Sequence, residues 1–340
     1  MKIGENELRS NLTGQADDIP NEAIGNEETP RRGQPWSPRK QGQRTPRADM
    51  TTLTVHHKTV YRYARPVWFG EHRLMFRPRD SHDLRLLDTA LSLQPAASVR
   101  WLHDVFGNSI AIASFSEPAA ELVFDSSFRA EQFPVAERGI VLEPYAKRYP
   151  FDYSPEDMID LGPTLRRSYP DPRRMVDTWA GWFVQGERSL DPLDILVGIT
   201  RSIQYQFGYA RREEMGTQNP VDTLESGSGN CRDFALFMME AARSLGFAAQ
   251  FVSGYLYDEQ LIGASGGLVG GGATHAWVQI YLPGAGWVEF DPTNGLVGGK
   301  NLIRVAVART PSQALPLSGT FTGAPSDFLG MSVEVTVMAE

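Results

Sequence analysis

Cys231 is the only cysteine in 340 residues, and it lies where a glycine turn meets a helical repeat. Gly227 and Gly229 read as the turn. After them Phe234, Phe237, Met238, Ala241, Ala242 and Leu245 recur at helical spacing, with Gly246 as the expected C-cap. The chain must therefore pass from turn to amphipathic helix at or beside the thiol. A helix N-terminus presents free backbone N–H groups and a partial positive charge, which favour a thiolate. The same N–H groups suit a developing oxyanion. Taken alone, a single cysteine reads first as a small buried apolar residue, which is what most lone cysteines are. The polar neighbours Asn230, Arg232 and Asp233 argue against a core position here.

The segment downstream alternates. Ala276, Val278, Ile280 and Leu282 fall on one face, and His275, Trp277, Gln279 and Tyr281 on the other. Pro283-Gly284-Ala285-Gly286 is a turn signal, and Trp287 to Asp291 reads as a second strand. If Leu282 to Gly286 form the loop of this hairpin, Tyr281 faces Trp287 and Trp277 faces Asp291. Asp291 then shares a face with His275, one diagonal step away, at a backbone separation of roughly 7–8 Å that an imidazole and a carboxylate can span. A slip of one residue would put the two on opposite faces. Read singly, His275 is a strand histidine bonded to backbone and Asp291 a turn-former before Pro292. Read with Cys231, they are a base and its orienting carboxylate.

These stretches, with Gly-Asn-Cys-Arg-Asp-Phe-Ala at 229–235, Arg-Ser-Leu-Gly-Phe-Ala-Ala at 243–249, Val-Ser-Gly-Tyr-Leu at 252–256, Thr-His-Ala-Trp-Val at 274–278 and Trp-Val-Glu-Phe-Asp-Pro-Thr-Asn at 287–294, resemble the transglutaminase-like (papain-like fold) superfamily. The resemblance is to its bacterial branch with a dedicated N-terminal β-domain, whose opening Thr59-Val60-Tyr61-Arg62-Tyr63, Pro66-Val67 and Arg77-Pro78-Arg79 resemble. It implies that Cys231 is the nucleophile, His275 the base and Asp291 the orienting carboxylate of a thioester-forming acyl transferase that acts on amide bonds. Many relatives carry Val where this chain has Asn230. The resemblance also implies a second oxyanion donor from the stretch around Gln204 to Tyr209. Peptides, carboxamides and glutamine side chains are the implied acyl donors. Hydrolysis is favoured over transfer to a lysine amine, because neither a secretion signal nor a cross-linking partner is implied. The alternatives are amine cross-linking, and a non-catalytic protein-binding module on the same fold.

The expected fold class is α+β: an N-terminal β-sandwich, then a papain-like core with the cysteine helix packed on an antiparallel sheet bearing the histidine and aspartate. Residues 1–49 are rich in Pro, Gly, Asn, Gln and charge without periodicity, and read as a disordered extension. It would serve as a docking tail, or be a passive extension ahead of Met50. Residues 50–135 read as the β-domain, with strands at Leu53–Tyr63, His72–Arg77, Leu84–Leu93, Val99–His103, Ser109–Phe115 and Leu122–Ala130. Residues 136–305 read as the catalytic domain. Within it 144–155 is a connector, helices lie near Arg173–Val184 and Pro192–Gln204, and a strand runs from Ala248 to Tyr257. The glycine-dominated 263–272 reads as a lid over the cleft or a slack surface loop. Residues 306–340 read as a strand-containing extension packing on that core.

His56, His57, His72, His82 and His103 lack a zinc-motif spacing and read as solvated or strand-edge residues. Trp179 and Trp182, at i and i+3, read as packing groups. No metal or other cofactor is expected, and no EF-hand-type loop is present. The net charge of -8 belongs to the part beyond residue 49 and argues against a nucleic-acid partner. No apolar run marks a membrane span or signal peptide. With one thiol and no internal disulfide, a cytoplasmic setting is expected. The expected partner is a protein or peptide substrate, and the sequence gives no oligomeric state.

Overall fold

The computed structural model describes residues 50–133, 140–186, 190–210, 216–257, 273–299 and 301–340. The readings of 1–49 as disordered and of 263–272 as a lid or slack loop lie outside the described residues. The described chain is α+β, a β-rich N-terminal region followed by helices packed on an antiparallel sheet.

Six strands open it: β1 (Thr51–Phe69), β2 (His72–Leu74), β3 (Leu84–Gln94), β4 (Ala97–His103), β5 (Ser109–Phe115) and β6 (Ala119–Gln132). One sheet has β6 between β1 and β3, and a second has β5 between β2 and β4. Tyr63, Phe69, Leu74, Ala113, Leu122 and Phe124 fill the space between them. β1 serves a second core as well. Its first half alternates buried Leu53, Val55, His57 and Thr59 with half-buried residues. Leu53 and Val55, with Phe128 and Ala130 of β6, pack against Tyr255, Tyr257, Ile303 and Val305 further along the chain.

Five helices follow: α1 (Pro155–Leu165), α2 (Met175–Gly181), α3 (Pro192–Gln206), α4 (Pro220–Ser226) and α5 (Cys231–Ser244). Ser154, Asp191 and Asn219 cap α1, α3 and α4 through side-chain oxygens, each with proline in the first turn. Among the described helices none is long and apolar enough to cross a membrane. Between α3 and α5 the short strands β7 (Gly208–Tyr209) and β8 (Ser228–Gly229) pair in parallel. The central sheet comprises β9 (Ala249–Leu256), β10 (His275–Leu282), β11 (Gly286–Asp291), β12 (Leu296–Val297) and β13 (Leu302–Ala308), in the order β12-β11-β10-β9-β13. Ala276, Val278, Ile280 and Leu282 of β10 share one core with Phe234, Ala235, Met238 and Ala242 of α5. The period-two face of the strand therefore meets the apolar stripe of the helix.

The segment 306–340 spans both regions. β13 ends in the central sheet at Ala308, Ala314 is buried in the core that holds α5, and Arg232 and Arg243 of α5 donate to Pro311 O and Arg309 O. Beyond that the chain also returns to the N-terminal sheets. β14 (Leu317–Ser318) pairs with β2, and β15 (Phe321–Thr322) with the end of β1. β16 (Phe328–Ala339) runs along β1 from Leu53↔Ala339 to Tyr63↔Phe328. β1 gives one edge to β6, and its other edge needs a partner of similar length. The alternating 328–339 stretch supplies it, a non-local pairing that local pattern does not announce.

Two readings change. His57 and His72 are 2% and 5% exposed, so they are core residues and not solvated or strand-edge ones. His57 bridges the Tyr255 hydroxyl at 2.8 Å and Thr59 Oγ1 at 3.0 Å, and burial, then His56, lower its pKa to about 4. Trp179 packs on Phe183 and Phe237, whereas Trp182 is 69% exposed and packs little.

Candidate active site

Cys231 is the first residue of α5, as the glycine turn suggested. The cap is Asn230. Its Oδ1 accepts from Arg232 N at 2.9 Å and Asp233 N at 3.1 Å, while Asp233 Oδ2 accepts from Asn230 N at 3.0 Å. This reciprocal capping box satisfies helix-terminal donors and fixes where the helix starts. It leaves the Cys231 N–H with no hydrogen-bond partner among the described residues. The side chain of Cys231 is buried, with 7% of the residue exposed. Just before it, Gly208 N donates to Gly227 O and Ala210 N to Gly229 O, so β7 runs alongside the approach to the thiol.

The hairpin has the register that the chemistry required. Tyr281 pairs with Trp287 and Leu282 with Gly286, so the loop is Pro283-Gly284-Ala285 and has an odd length. His275 and Asp291 consequently meet, with His275 Nε2 2.8 Å from Asp291 Oδ2. A carboxylate only accepts, so Nε2 carries the proton that it donates. Both side chains are shut off from solvent. The other ring nitrogen, Nδ1, is buried and has no fully formed hydrogen bond to protein. Cys231 is the neighbour on that side of the charge balance. Burial opposes a charge on the imidazole, but Asp291 and then Cys231 outweigh it, and the His275 pKa is pushed up from 6.5 to about 10.

Asp291 is held from several sides. Its Oδ1 accepts from Thr293 N at 2.9 Å, and Oδ2 from Asn294 Nδ2 at 2.8 Å. Burial pushes its carboxyl up, and His275, Asn294 and Thr293 together bring it below the usual carboxylate range. It is both the turn-former and the partner of the imidazole. Gln204, from the stretch expected to supply an oxyanion donor, donates through Nε2 to Asn294 O at 2.9 Å. It braces the Asp291 turn from α3, and that N–H bond is committed there. The positioning roles of Asn230, Asn294 and Gln204 went unread in the sequence. Only the first carried a local signal, the Asn-x-x-Asp capping spacing.

A third layer backs the histidine. The Trp277 indole lies against the His275 ring, and its Nε1 donates to Glu289 Oε2 at 2.9 Å. Glu289 Oε1 in turn accepts from Arg304 at 2.5 Å. Gly254 pairs with His275 across β9 and β10 because a Cβ there would meet Ile303 O at 2.1 Å and the Trp277 ring at 2.7 Å. The arrangement brings together a buried thiol at a helix start, an imidazole and a buried carboxylate. Such a set can pass a proton between sulfur and a reacting group while holding the ring in one tautomer.

Comparison with known proteins agrees with this architecture. Residues 53–131 match the bacterial transglutaminase-like N-terminal region, and residues 186–292 match the transglutaminase-like superfamily. An uncharacterized protein of Mycobacterium tuberculosis is 27% identical over 295 residues, 83% of this chain and 91% of its own length. One of Mycobacterium leprae is 25% identical over 313 residues, 85% of this chain and 100% of its own. The fold is similar to that of a protein of Cytophaga hutchinsonii provisionally named a cysteine protease, with a TM-score of 0.63 at 19% identity, over 85% of this chain and 91% of that one. With a bacterial transglutaminase-like N-terminal region leading into a transglutaminase-like core, the chain belongs to the transglutaminase-like superfamily.

Proposed function

We propose that the protein is a cysteine-dependent hydrolase of amide bonds, in peptides or glutamine side chains, working through Cys231, His275 and Asp291. The observation that carries this reading is the 2.8 Å contact between His275 Nε2 and Asp291 Oδ2, with Nδ1 left on the side of Cys231. A His275 that holds its proton through neutral pH favours a thiolate beside it. The sulfur attacks the carbonyl carbon, and the carbonyl oxygen gains the negative charge. The free Cys231 N–H at the helix start donates to that oxygen. As the C–N bond breaks, imidazolium Nδ1–H gives its proton to the leaving nitrogen, and a thioester remains. Water then attacks the thioester carbon and loses a proton to Nδ1. The acid departs, and thiolate and imidazolium are restored. Asp291 holds the ring in place throughout and stabilises its positive charge. The name given to the Cytophaga protein supports hydrolysis over amine transfer.

The test pairs two measurements. Iodoacetamide should label Cys231 rapidly at neutral pH, and His275→Ala should slow that labelling. Incubation with a glutamine-containing casein and a fluorescent primary amine should release fragments or ammonia without incorporating label. Cys231→Ala and His275→Ala should both abolish it. Incorporated label in intact chains would replace hydrolysis with cross-linking. Labelling like free cysteine, or casein turnover that survives Cys231→Ala, would end the reading.

A further inference from the structure

A cleft of ligand size lies away from Cys231, His275 and Asp291. It has a volume of about 760 Å³ and lies between α1, the turn of β10 and β11, and the loops following β2 and β4. Volumes of roughly 300–1,000 Å³, at a junction between structural units, are usual for small-molecule sites. Its floor is the lower part of the sheet face that carries His275 and Asp291 at its upper end. Cys231, His275 and Asp291 do not line it. Trp277, fully buried, stands between the two regions.

The floor holds an incomplete pair of amides. Gln250 and Gln279 are directly opposed across β9 and β10. Gln279 Nε2 donates to Gln250 Oε1 at 2.8 Å. That single bond uses one acceptor and one donor. Gln279 Oε1 and Gln250 Nε2 have no protein partner among the described residues, and Gln279 is only 4% exposed. Exchanging oxygen and nitrogen in both side chains reverses the direction of the internal bond and leaves the same inventory, one open acceptor and one open amino group. Both residues line the cleft, where a ligand group of matching polarity can take the place of water.

The floor itself favours a neutral group, while the exposed Arg79, which also lines the cleft, donates to Phe106 O and Gly107 O. Arg304, the cation beside the floor, is already paired to Glu289 at 2.5 Å and Asp83 at 3.4 Å. It has no unanswered charge to offer an anion. Trp287, Val305 and Val307 supply apolar wall. An open donor beside an open acceptor is complementary to a group that carries N–H and C=O side by side. A primary carboxamide does so. A trans peptide bond points the two in opposite directions, and an ester has no N–H.

We infer that this cleft is a non-covalent binding site for a neutral primary carboxamide, a glutamine- or asparagine-like side chain, whose C=O accepts from Gln250 and whose N–H donates to Gln279. The site does not use the thiol, and it stands whether or not Cys231 is a nucleophile.

The test is a titration of the Cys231→Ser protein, which cannot turn the probe over through a thioester, with N-acetyl-L-glutamine N-methylamide. The side-chain amide signals of Gln250 and Gln279 are followed by NMR. Saturable shifts of both are expected. The γ-methyl ester analogue of the probe, which lacks the N–H, should bind about ten-fold more weakly, because its ester oxygen then meets Gln279 Oε1 with no donor between them. Gln279→Leu should weaken probe binding by a similar factor. Gln250→Met, at a half-exposed position, gives the same reading if the first variant does not fold. Absence of saturable shifts, equal binding of amide and ester, or binding unchanged in both glutamine variants would overturn the site. Shifts confined to the surroundings of Cys231 and His275 would also overturn it, while leaving the acyl-transfer reading intact.

Discussion

The Trp277 indole lies nearly parallel to the His275 ring, with centroids 5.9 Å apart and an interplanar angle of 28°. Trp277 is also fully buried and hydrogen-bonded to Glu289, so His275 rests on a side chain that is itself locked. Trp277→Phe keeps a ring beside His275 but removes the Nε1–H donor. Glu289 Oε2 then loses a buried bond, at a cost of about 1–3 kcal/mol. Urea denaturation of Trp277→Phe, Glu289→Ala and the double variant should show strong non-additivity, because both changes remove the same bond. Additive losses would mean that the 2.9 Å contact contributes nothing.

Asp291 has more donors aimed at it than its shape alone needs. His275 Nε2, Thr293 N and Asn294 Nδ2 all end on the carboxylate. Asp291→Asn preserves volume but replaces one acceptor oxygen with an amino group that meets donors head-on. The imidazolium also loses its counter-charge. Amide turnover should fall by about 10²–10⁴-fold, and alkylation of Cys231 at pH 6 should slow by about ten-fold or more, a factor of ten for each pKa unit lost by His275. A variant that alkylates as fast as the parent protein would remove Asp291 from the charge balance.

The pH dependence of stability has a definite sign. The folded-state pKa of His275 is raised above its unfolded value of 6.5, to about 10. Its protonation therefore stabilises the fold fully below pH 6.5, and the contribution is lost as pH rises towards 10. The stability gap between the parent protein and His275→Gln, measured by urea denaturation, should be widest near pH 6. It should narrow by on the order of a few kcal/mol by pH 10. A gap that stays constant, or widens with pH, would show that His275 is neutral when folded.

The juxtaposition of the candidate site residues was legible in the sequence because each of its parts is local. A turn–helix junction fixed Cys231, and strand alternation with an odd hairpin loop fixed the relation of His275 to Asp291. Each is decided within a few residues. α3 was legible through Asp191 and Pro192, yet α1 and α4, which carry the same signal in Ser154-Pro155 and Asn219-Pro220, went unread because their apolar stripes are short. The partners of β1 and the burial of His57 were not legible, since they depend on β16 and Tyr255, which approach from far along the chain. Gln204 likewise serves Asn294 across a long separation, and its local context gives no sign of it.

Asn230 sits beside the thiol for a reason that separates stability from activity. As N-cap it accepts from Arg232 N and Asp233 N, a role that aspartate fills equally well. An aspartate would also interact more favourably with the positive end of α5. Its negative charge, however, would stand one residue from Cys231 and disfavour a thiolate there. Asn230→Asp should therefore match or exceed the parent protein in urea stability, with a change within about 1 kcal/mol. The same variant should alkylate Cys231 several-fold more slowly at neutral pH. Asn230→Ala should instead lose about 1 kcal/mol of stability, because the cap is gone and no charge is added. If Asn230→Asp left the alkylation rate unchanged, the neutral cap would be incidental to the chemistry of the thiol.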